Sequence, residues 1–339
     1  MSTNLFSVVN VYKPAGMTSH DVVAQCRRVF NTQKVGHLGT LDPVAVGVLP
    51  IALGKATRLI EYFPDDKVYE ATIELGRETD TLDSEGVVIA EAPVPELDYE
   101  LVWHTLPQFM GVIQQQVPRY SAVHYKGKKL YHYVRSGVII PDEELPVKEV
   151  TIHDMTLLEV NLEGDTPLVK IRAHCSSGTY MRSLARDLAK ALGTVGHLRF
   201  LERTQHGHFT KETAVELATL IDADNPAVYL QNPLDTLPQK QVFLTPDALA
   251  GMINGMTVAC PPLTDRVTNN TQVLARSKDV LGAMAVKIGH RLKPEKVMNA
   301  PLKQPAVLPK AQPRPPRVAK GIPAEVETET ESLTPVSVE

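Results

Sequence analysis

The spacing of apolar and polar residues predicts a chain that alternates between strands and helices. Apolar residues recurring every three or four positions predict two amphipathic helices, over residues 19–30 and 179–192. Alternation of apolar and polar positions predicts strands, over residues 7–11, 68–75, 147–162 and 168–175. No unit of about 20–50 residues repeats, which excludes solenoids and propellers. These elements indicate a mixed sheet with helices packed on it, in an α+β or mixed α/β body.

Other segments carry weaker patterns. Residues 44–63 are predicted to be helical in parts, with interruptions at Pro50 and Gly54. Residues 87–91 are predicted to pair with the strand at residues 68–75. Ser19 is predicted to cap the helix that begins there, because a serine hydroxyl can accept a hydrogen bond from the first turn.

Composition divides the chain into three parts. A weak boundary near residues 232–241 separates a large domain, residues 1–235, from a small β-rich module, residues 240–298. Residues 299–339 contain eight prolines in 41 residues and no aromatic side chain. Such a segment cannot bury enough apolar surface to offset the loss of chain entropy, so we predict a disordered, proline-rich tail.

Charge and cysteine content exclude several classes of function. The chain has 35 Lys and Arg against 39 Asp and Glu, a net charge of −4, which argues against binding nucleic acid or membrane by bulk charge. Its three isolated cysteines form no disulfide framework and no zinc motif, which predicts a reduced, cytoplasmic protein. No apolar run approaches the roughly 20 residues of a membrane span, and we expect no secretory signal, because residues 1–11 contain no basic segment. Nucleotide-binding motifs are absent too, so we expect no cofactor and no metal ion.

Two segments carry candidate chemistry. Asp42 lies in a predicted loop at residues 36–43, where glycines let the backbone approach a ligand closely. The alternative is an ordinary turn whose aspartate caps a helix. Tyr180 and Arg182 lie in the first turn of the helix predicted at residues 179–192, a place that favours anions. The alternative there is a solvated arginine on the surface.

A run of basic and aromatic residues covers residues 119–135. It holds five Lys or Arg, four Tyr and no acidic residue. Its lysines, among them Lys126, Lys128 and Lys129, can neutralise phosphates and its tyrosines can stack on bases, so the run suits RNA. The alternative is a solvated charged face. Residues 206–208, His-Gly-His, are predicted to form a surface loop, because no cysteine or carboxylate stands beside them at metal-ligand spacing.

Taken together, these motifs resemble those of the TruB family of pseudouridine synthases. The family's order is kept at residues 13–16, 36–43, 47–50, 69, 119–122, 127–131, 177–182 and 197–203. The similarity runs from residue 8 to residue 203, with a fainter match over residues 243–298. The family often has lysine where this chain has Ser177, which removes one candidate phosphate or loop contact.

The resemblance implies a fold, an activity and a partner. The fold would be an α+β pseudouridine synthase fold with a mixed, largely antiparallel central sheet and flanking helices. A small PUA-like RNA-binding domain is expected at residues 240–298, and an insertion that clamps the RNA arm at about residues 119–150. The family isomerises uridine in RNA without a cofactor or metal. Guide-RNA-dependent members carry a longer PUA domain, so we expect the stand-alone type, a monomer with no obligate protein partner that acts at position 55 in the TΨC loop of tRNA.

The resemblance also implies roles for individual residues. Asp42 would be the catalytic carboxylate, with Arg182 paired to it and Tyr180 beside it. Tyr69 would stack on a uracil flipped out of its helix. The expected substrate-binding or supporting residues are Lys13, His37, Leu201, Lys126, Lys128 and Lys129. A carboxylate can add to the base or to the sugar, or remove the C2′ proton, and the sequence leaves these routes open.

Other functions stay open from the residues themselves. One alternative is an RNA-binding factor that folds tRNA and whose catalysis is dispensable. Another is a pseudouridine synthase that acts on another RNA. A hydrolase that uses Asp42 on an N-glycosidic bond is the remaining alternative. The hydrolase would release free uracil and leave an abasic site, which distinguishes it from an isomerase.

Overall fold

The computed structural model describes residues 5–164, 166–262, 267–303 and 305–308. The strands are β1 (Phe6–Lys13), β2 (Val35–His37), β3 (Val46–Gly54), β4 (Lys67–Leu75), β5 (Arg77–Thr79), β6 (Val88–Glu91), β7 (Gly111–Gln116), β8 (His124–Tyr125), β9 (Lys128–Lys129), β10 (Val147–Asn161), β11 (Leu168–Cys175), β12 (Gly196–His206), β13 (Phe209–Thr210), β14 (Val215–Glu216), β15 (Lys240–Phe243), β16 (Val258–Ala259), β17 (Gln272–Arg276), β18 (Val280–Ile288) and β19 (Arg291–Pro301). The α-helices are α1 (Ser19–Val29), α2 (Tyr99–Thr105), α3 (Leu130–Arg135), α4 (Met181–Ala191), α5 (Leu217–Asp222) and α6 (Pro246–Ile253). Short 3₁₀ helices cover Lys55–Tyr62, Leu106–Phe109, Asp142–Glu144, Lys211–Thr213, Pro226–Tyr229 and Pro233–Asp235.

One large mixed sheet forms the centre of the molecule. Its strand order is β14-β1-β3-β12-β4-β11-β10-β7, with β2 paired to β3 and β13 paired to β12. The pairs β1–β14 and β3–β12 are parallel, and the other pairs are antiparallel. Helices α1 and α4 pack their apolar faces on this sheet. The predicted α+β fold with a largely antiparallel central sheet is therefore confirmed.

Helix α1 begins with a capping box one residue earlier than predicted. The N-cap is Thr18, whose hydroxyl accepts from the Asp21 amide at 3.1 Å while the Asp21 carboxylate accepts from the Thr18 amide at 2.9 Å. The predicted cap, Ser19, is buried instead, and its hydroxyl donates to the Leu41 carbonyl at 3.0 Å. Ser19 therefore fastens the helix to the loop that carries Asp42.

Residues 44–63 were predicted to be helical in parts. This prediction is wrong over Val46–Gly54, which forms strand β3. Eight of its nine residues are buried, because β1 and β12 flank it and helices and loops cover its faces. A strand buried on both faces reads as a continuous apolar run without alternation, and this pattern does not distinguish it from a helix. The rest of the segment does turn helically, as the 3₁₀ helix Lys55–Tyr62.

The expected pairing of residues 87–91 with the strand at residues 68–75 is also wrong. Strand β6 pairs with β5 in a separate hairpin, while β4 lies between β12 and β11 in the main sheet. Both neighbours of β4 come from far along the chain. Local spacing carries no information about such distant partners.

A second sheet, in the order β15-β17-β18-β19-β16, forms the small β-rich module near the C-terminal end of the described chain. Leu274, Met284 and Met298 of this sheet share an apolar cluster with Phe6 and Leu59 of the main body. The two sheets therefore pack together through a common core. The division at residues 235 and 240 stays a prediction.

The last strand overlaps the start of the predicted disordered tail. Strand β19 continues to Pro301, so the boundary at residue 299 falls inside it, and Ala300 is fully buried. Leu308 is 3 % exposed, and the Asn225 amide donates to the Ala306 carbonyl at 3.1 Å. These contacts come from single apolar residues that an average over 41 residues conceals. Residues 309–339 of the predicted tail lie outside the described chain.

The segment between β7 and β10 carries its own small core. Val117, Leu130, Ile140 and Leu145 are buried against one another, with tyrosines packed around them. This segment, called the insertion below, overlaps residues 119–150, where an insertion that clamps RNA is predicted; that role stays a prediction. In the described parts of the chain, no helix is long and apolar enough to span a membrane.

Candidate active site

A cavity of about 570 Å³ opens where the main sheet meets the insertion. Its walls come from residues 38–42, the start of β4, the turn between β11 and α4, the strand β12, and the insertion. The residues expected from the sequence that line it are Asp42, Tyr69, Tyr180, Arg182 and Leu201. Residues from four separate segments of the chain therefore meet in one pocket.

The Asp42 carboxylate and the Arg182 guanidinium form the ion pair at the centre of this cavity. Arg182 Nε lies 3.0 Å from Asp42 Oδ2, and Arg182 Nη1 lies 3.7 Å from Asp83 Oδ2. The guanidinium also donates to the carbonyls of Thr81 and Tyr120, each at 3.1 Å. The Arg182 side chain is 8 % exposed and the Asp42 side chain 35 %. A fixed arginine thus orients a carboxylate that solvent or substrate can still reach.

A second arginine holds the backbone of the Asp42 loop from inside the protein. Arg203 is fully buried, and its three guanidinium nitrogens donate to the carbonyls of Val48 at 2.7 Å and of Thr40 and Gly39 at 3.1 Å each. Gly47 lies so close to Arg203, at φ +112°, that an added Cβ would be 2.3 Å from the Arg203 carbonyl oxygen. Only glycine fits this contact.

Lys13 supports the same loop from the other side. Its buried ammonium donates to the carbonyls of Pro14 at 2.8 Å, Met17 at 2.7 Å and Pro43 at 3.1 Å. Burial lowers the pKa of Lys13 to about 8, with the Asp42 carboxylate acting in the opposite direction. Lys13 therefore contacts the backbone beside Asp42 and lies outside the cavity lining.

Three of the lining side chains give the cavity an aromatic and apolar character. Tyr69 is 7 % exposed and Leu201 is 5 % exposed. Burial raises the pKa of the Tyr69 phenol, although Arg203 opposes the shift. Burial likewise raises the pKa of Tyr180, so both phenols keep their protons near neutral pH. The pocket offers a planar base two aromatic faces and one apolar wall.

Two hydrogen bonds to its backbone hold Tyr180 in place. The Tyr180 amide donates to Gln115 Oε1 at 2.8 Å, and Gln115 Nε2 donates back to the Tyr180 carbonyl at 3.1 Å. Gln115 is buried on strand β7. This reciprocal pair fixes the residue that precedes α4 and hence the direction in which Arg182 leaves the helix.

Known families and proteins share this arrangement of segments. The profile of the TruB family pseudouridylate synthase N-terminal domain matches residues 27–181, and that of the tRNA pseudouridylate synthase B C-terminal domain matches residues 182–237. A protein of Microcystis aeruginosa named tRNA pseudouridine synthase B is 46 % identical over 217 residues, covering 64 % of this chain and 73 % of the relative. The chain belongs to the TruB family. A protein of the same name from Streptococcus pneumoniae is 38 % identical over 298 residues and covers 86 % of this chain and 99 % of the relative.

A solved structure has the same fold. The chain in an H/ACA ribonucleoprotein bound to a substrate RNA containing 2′-deoxyuridine superposes with a TM-score of 0.64 at 24 % identity, over 91 % of this chain and 88 % of that one. This likeness extends the pseudouridine synthase fold to nearly the whole TruB-family chain described above.

Besides Lys13, four more of the expected substrate-binding residues lie outside the cavity lining. His37, at the end of β2, packs its ring edge-on against His20 at 5.5 Å between ring centres, just before the Asp42 loop. Lys126, Lys128 and Lys129 lie on the β8–β9 hairpin of the insertion, outside the cavity lining. The structure therefore brings the catalytic candidates together and places these lysines on a separate surface.

A polar cluster of His206, Lys67 and Asp65 beside the cavity was missed from the sequence: His206 and Lys67 are buried, and the Asp65 side chain is 49 % exposed. His206, predicted to lie in a surface loop, is 1 % exposed at the end of β12, with Nε2 3.1 Å from Asp65 Oδ1. Lys67 pairs with the same carboxylate. Burial opposes ionisation of Asp65, but hydrogen bonds from His206 and Lys67 outweigh it and lower the Asp65 pKa. The prediction failed because β12 runs on to His206 and buries it against β4.

His206 makes a prediction about pH and stability. Burial lowers its pKa to about 4, so the folded protein keeps the ring neutral while the unfolded chain protonates it below about pH 6.5. Its contribution is present above pH 6.5 and is lost as the pH falls towards 4. We expect His206→Gln to reduce the drop in unfolding free energy between pH 7 and pH 4.5 by about 2 kcal/mol.

Urea titrations at the two pH values measure this difference. The exposed His208, two residues away, provides the matched control variant His208→Gln, for which the wild-type drop is expected. Equal drops in all three proteins would show that His206 is protonated in the folded state.

Proposed function

We propose that this chain is a tRNA pseudouridine synthase that isomerises uridine 55 in the TΨC loop, with Asp42 as its catalytic carboxylate. The observation that carries the proposal is the Asp42–Arg182 ion pair at 3.0 Å, set in a cavity lined by Tyr69, Tyr180 and Leu201. Membership of the TruB family, with relatives named tRNA pseudouridine synthase B, supports tRNA as the substrate.

The reaction is an internal rearrangement of one nucleotide. The bond between uracil N1 and ribose C1′ breaks, the base rotates, and a bond forms between C5 and C1′. The C5 proton leaves and N1 gains a proton, so the product has the composition of the substrate. In this proposal Asp42 acts as the nucleophile or base that starts the rearrangement, and Arg182 keeps its carboxylate aimed at the base.

The other cavity residues receive supporting roles. Because burial keeps the Tyr69 ring in place, it can stack on the flipped uracil and offset part of the few kcal/mol that unstacking costs. Tyr180 keeps its phenol proton and lies beside Asp42, so this proposal assigns it the transfer of the proton at C5. Leu201 closes the pocket against water. Lys13 and His37 support the loop rather than contact the base.

The insertion supplies the proposed tRNA-binding surface. Lys126, Lys128 and Lys129 are set on a hairpin next to Tyr131 and Arg135, which line the cavity. Lys126 is paired with Glu144 at 2.9 Å, so its charge is already partly compensated. Phosphate binding is therefore assigned mainly to Lys128 and Lys129.

Salt dependence of tRNA binding tests this assignment. Replacing Lys128 and Lys129 with glutamine is expected to weaken binding and to lower the slope of log affinity against log salt by about 2, since each lost phosphate contact releases about one counterion fewer. Adding Lys126→Gln to this double variant is expected to change the slope by less than Lys128→Gln or Lys129→Gln does. The exposed lysines Lys34 and Lys190 give the control double variant. Equal slopes for the two double variants would remove the hairpin from the RNA interface.

Mapping of pseudouridine in a transcript tests the function itself. Purified full-length protein is incubated with an unmodified tRNA transcript in EDTA, without nucleotide, and the product is mapped by carbodiimide treatment and reverse transcription. We expect one new stop, in the TΨC loop, and none in a transcript with cytidine at that position. Binding without a stop would indicate an RNA-binding folding factor, a stop elsewhere another target, and free uracil a hydrolase.

Two further properties belong to this proposal. We infer that the protein acts in the cytoplasm, since Cys26 and Cys175 are buried free thiols that a reducing compartment preserves. We also infer that it acts as a monomer, because one chain is enough to supply the Asp42–Arg182 pair together with the aromatic and apolar walls of the cavity. Sedimentation of the enzyme alone and with tRNA tests the second inference.

A further inference from the structure

Two histidines and an aspartate meet at one end of the main sheet, apart from the residues assigned to catalysis. Asp66 immediately precedes β4, His174 is the penultimate residue of β11, and His153 lies on β10. Val68 pairs with His174 across β4 and β11. The β10–β11 register shifts between Ile152 and Asp154, so His153 is the extra residue of an irregularity in the ladder. Three separate strands thus direct metal-ligating residue types to one place.

The three side chains are close to the spacing that a metal ion requires. One ligand atom from each of Asp66, His153 and His174 lies within 4.8 Å of the others. His153 Nε2 is 3.5 Å from Asp66 Oδ1, and the two imidazole rings are 4.8 Å apart between centres. In a tetrahedral site with bonds of about 2.0–2.1 Å, neighbouring ligand atoms are roughly 3.3 Å apart. Small side-chain rotations therefore bring the set to coordination distance.

We propose that Asp66, His153 and His174 bind one divalent transition-metal ion, of which Zn²⁺ is the representative. Imidazole nitrogen is a preferred ligand of Zn²⁺, Ni²⁺ and Cu²⁺, whereas Mg²⁺ and Ca²⁺ select all-oxygen sites. Two nitrogens and one carboxylate oxygen make a three-ligand set that leaves one coordination position for water. Asp66 and His153 are exposed and His174 is half-buried, so an ion can enter from solvent without rearrangement of the core.

The position of this site links it to the wall of the cavity without placing it in the reaction. Strand β11 continues into residues 176–180, and the Ser176 amide donates to the Thr151 carbonyl at 2.8 Å while Ser176 Oγ accepts from the Thr151 amide at 2.9 Å. A metal ion bound by His153 and His174 would link β10 to β11 next to these two hydrogen bonds. Because the unfolded chain does not hold the three ligands together, binding is expected to stabilise the folded protein.

Calorimetric titration of tag-free, EDTA-treated full-length protein with Zn²⁺ tests the site. We expect one equivalent to bind, and each of Asp66→Asn, His153→Asn and His174→Asn to weaken the affinity by about tenfold or more, since each removes a ligand. Zn²⁺ is also expected to raise the melting temperature of the wild type but not that of the triple variant, which carries all three substitutions. Co²⁺ in place of Zn²⁺ reports the coordination through its visible absorption, which is intense for a four-coordinate ion.

Exposed histidines elsewhere in the chain give the matched controls. His104→Asn and His290→Asn are expected to bind Zn²⁺ as the wild type does, and so is Cys260→Ser, which removes the one half-buried thiol. Circular dichroism of each variant establishes that it is folded. Wild-type affinity in the variant with all three substitutions, loss of binding in Cys260→Ser, or no binding by the wild type would each overturn the proposal; the last would leave an ordinary contact between Asp66 and His153 beside two contacting rings.

Discussion

Replacing Asp42 with asparagine is expected to lower the rate of uridine isomerisation by about 10⁴-fold or more while tRNA affinity stays at the wild-type level. Asparagine has nearly the same shape but can act neither as a nucleophile nor as a base. The loop keeps its conformation, because Arg203 and Lys13 hold its backbone and not the Asp42 side chain. Arg182 keeps Asp83 as a partner.

Single-turnover rates and equilibrium binding of the same transcript separate the two effects. Asp154→Asn, an exposed aspartate on β10, is the matched control and is expected to retain the wild-type rate. Measurable isomerisation by Asp42→Asn within about tenfold of the wild type would exclude Asp42 as the catalytic carboxylate. Parallel loss of binding would instead assign Asp42 to substrate binding.

The second large effect is expected at Arg203. Methionine at this position fills similar volume but leaves the carbonyls of Gly39, Thr40 and Val48 without their donor. An unsatisfied buried polar group costs about 1–3 kcal/mol, and water can reach some of these carbonyls, so we expect Arg203→Met to lower the unfolding free energy by about 3 kcal/mol. The rate of isomerisation should fall as well, because the Asp42 loop loses its anchor.

Urea unfolding compares this variant with a control on the same strand. Arg199 is 58 % exposed, and Arg199→Met is expected to change stability by less than about 0.5 kcal/mol. Arg203→Lys restores the charge, but its single nitrogen does not reproduce the planar fork with which the guanidinium reaches three separate carbonyls, so it should fall between the two. Equal stability of Arg203→Met and Arg199→Met would mean that the buried guanidinium does not hold the loop.

Most of the elements that the sequence predicted correctly have one exposed face, although strand β1, which is buried along nearly its whole length, was predicted as well. Helix α1 and strands β4, β10 and β11 each alternate between core and solvent, so their periods are visible in the residues. Strand β3 is buried on both faces, and its continuous apolar run hides its period. Pairings such as β4 with β12 join residues more than a hundred positions apart, which local patterns do not record.

The residues of the candidate site also divide into those that the sequence predicted and those that it did not. The motif order led to Asp42, Tyr69, Tyr180, Arg182 and Leu201, and these five do line one cavity. The supporting network of Arg203, His206 and Asp65 was not predicted, because a buried arginine or histidine looks in sequence like a solvated one. Its partners are backbone carbonyls or side chains far along the chain, and only the folded sheet brings them together.

A change of length would have different effects in strand β12 and in the insertion between β7 and β10. Strand β12 carries Leu201 and Arg203 on one face, so a single inserted residue upstream would turn both away from the loop and the pocket. The insertion instead packs around its own four buried residues, Val117, Leu130, Ile140 and Leu145. Loops there can lengthen or shorten without moving Asp42. Under the proposed role of the insertion in RNA binding, evolution can therefore change which RNA is bound while Asp42 stays in place.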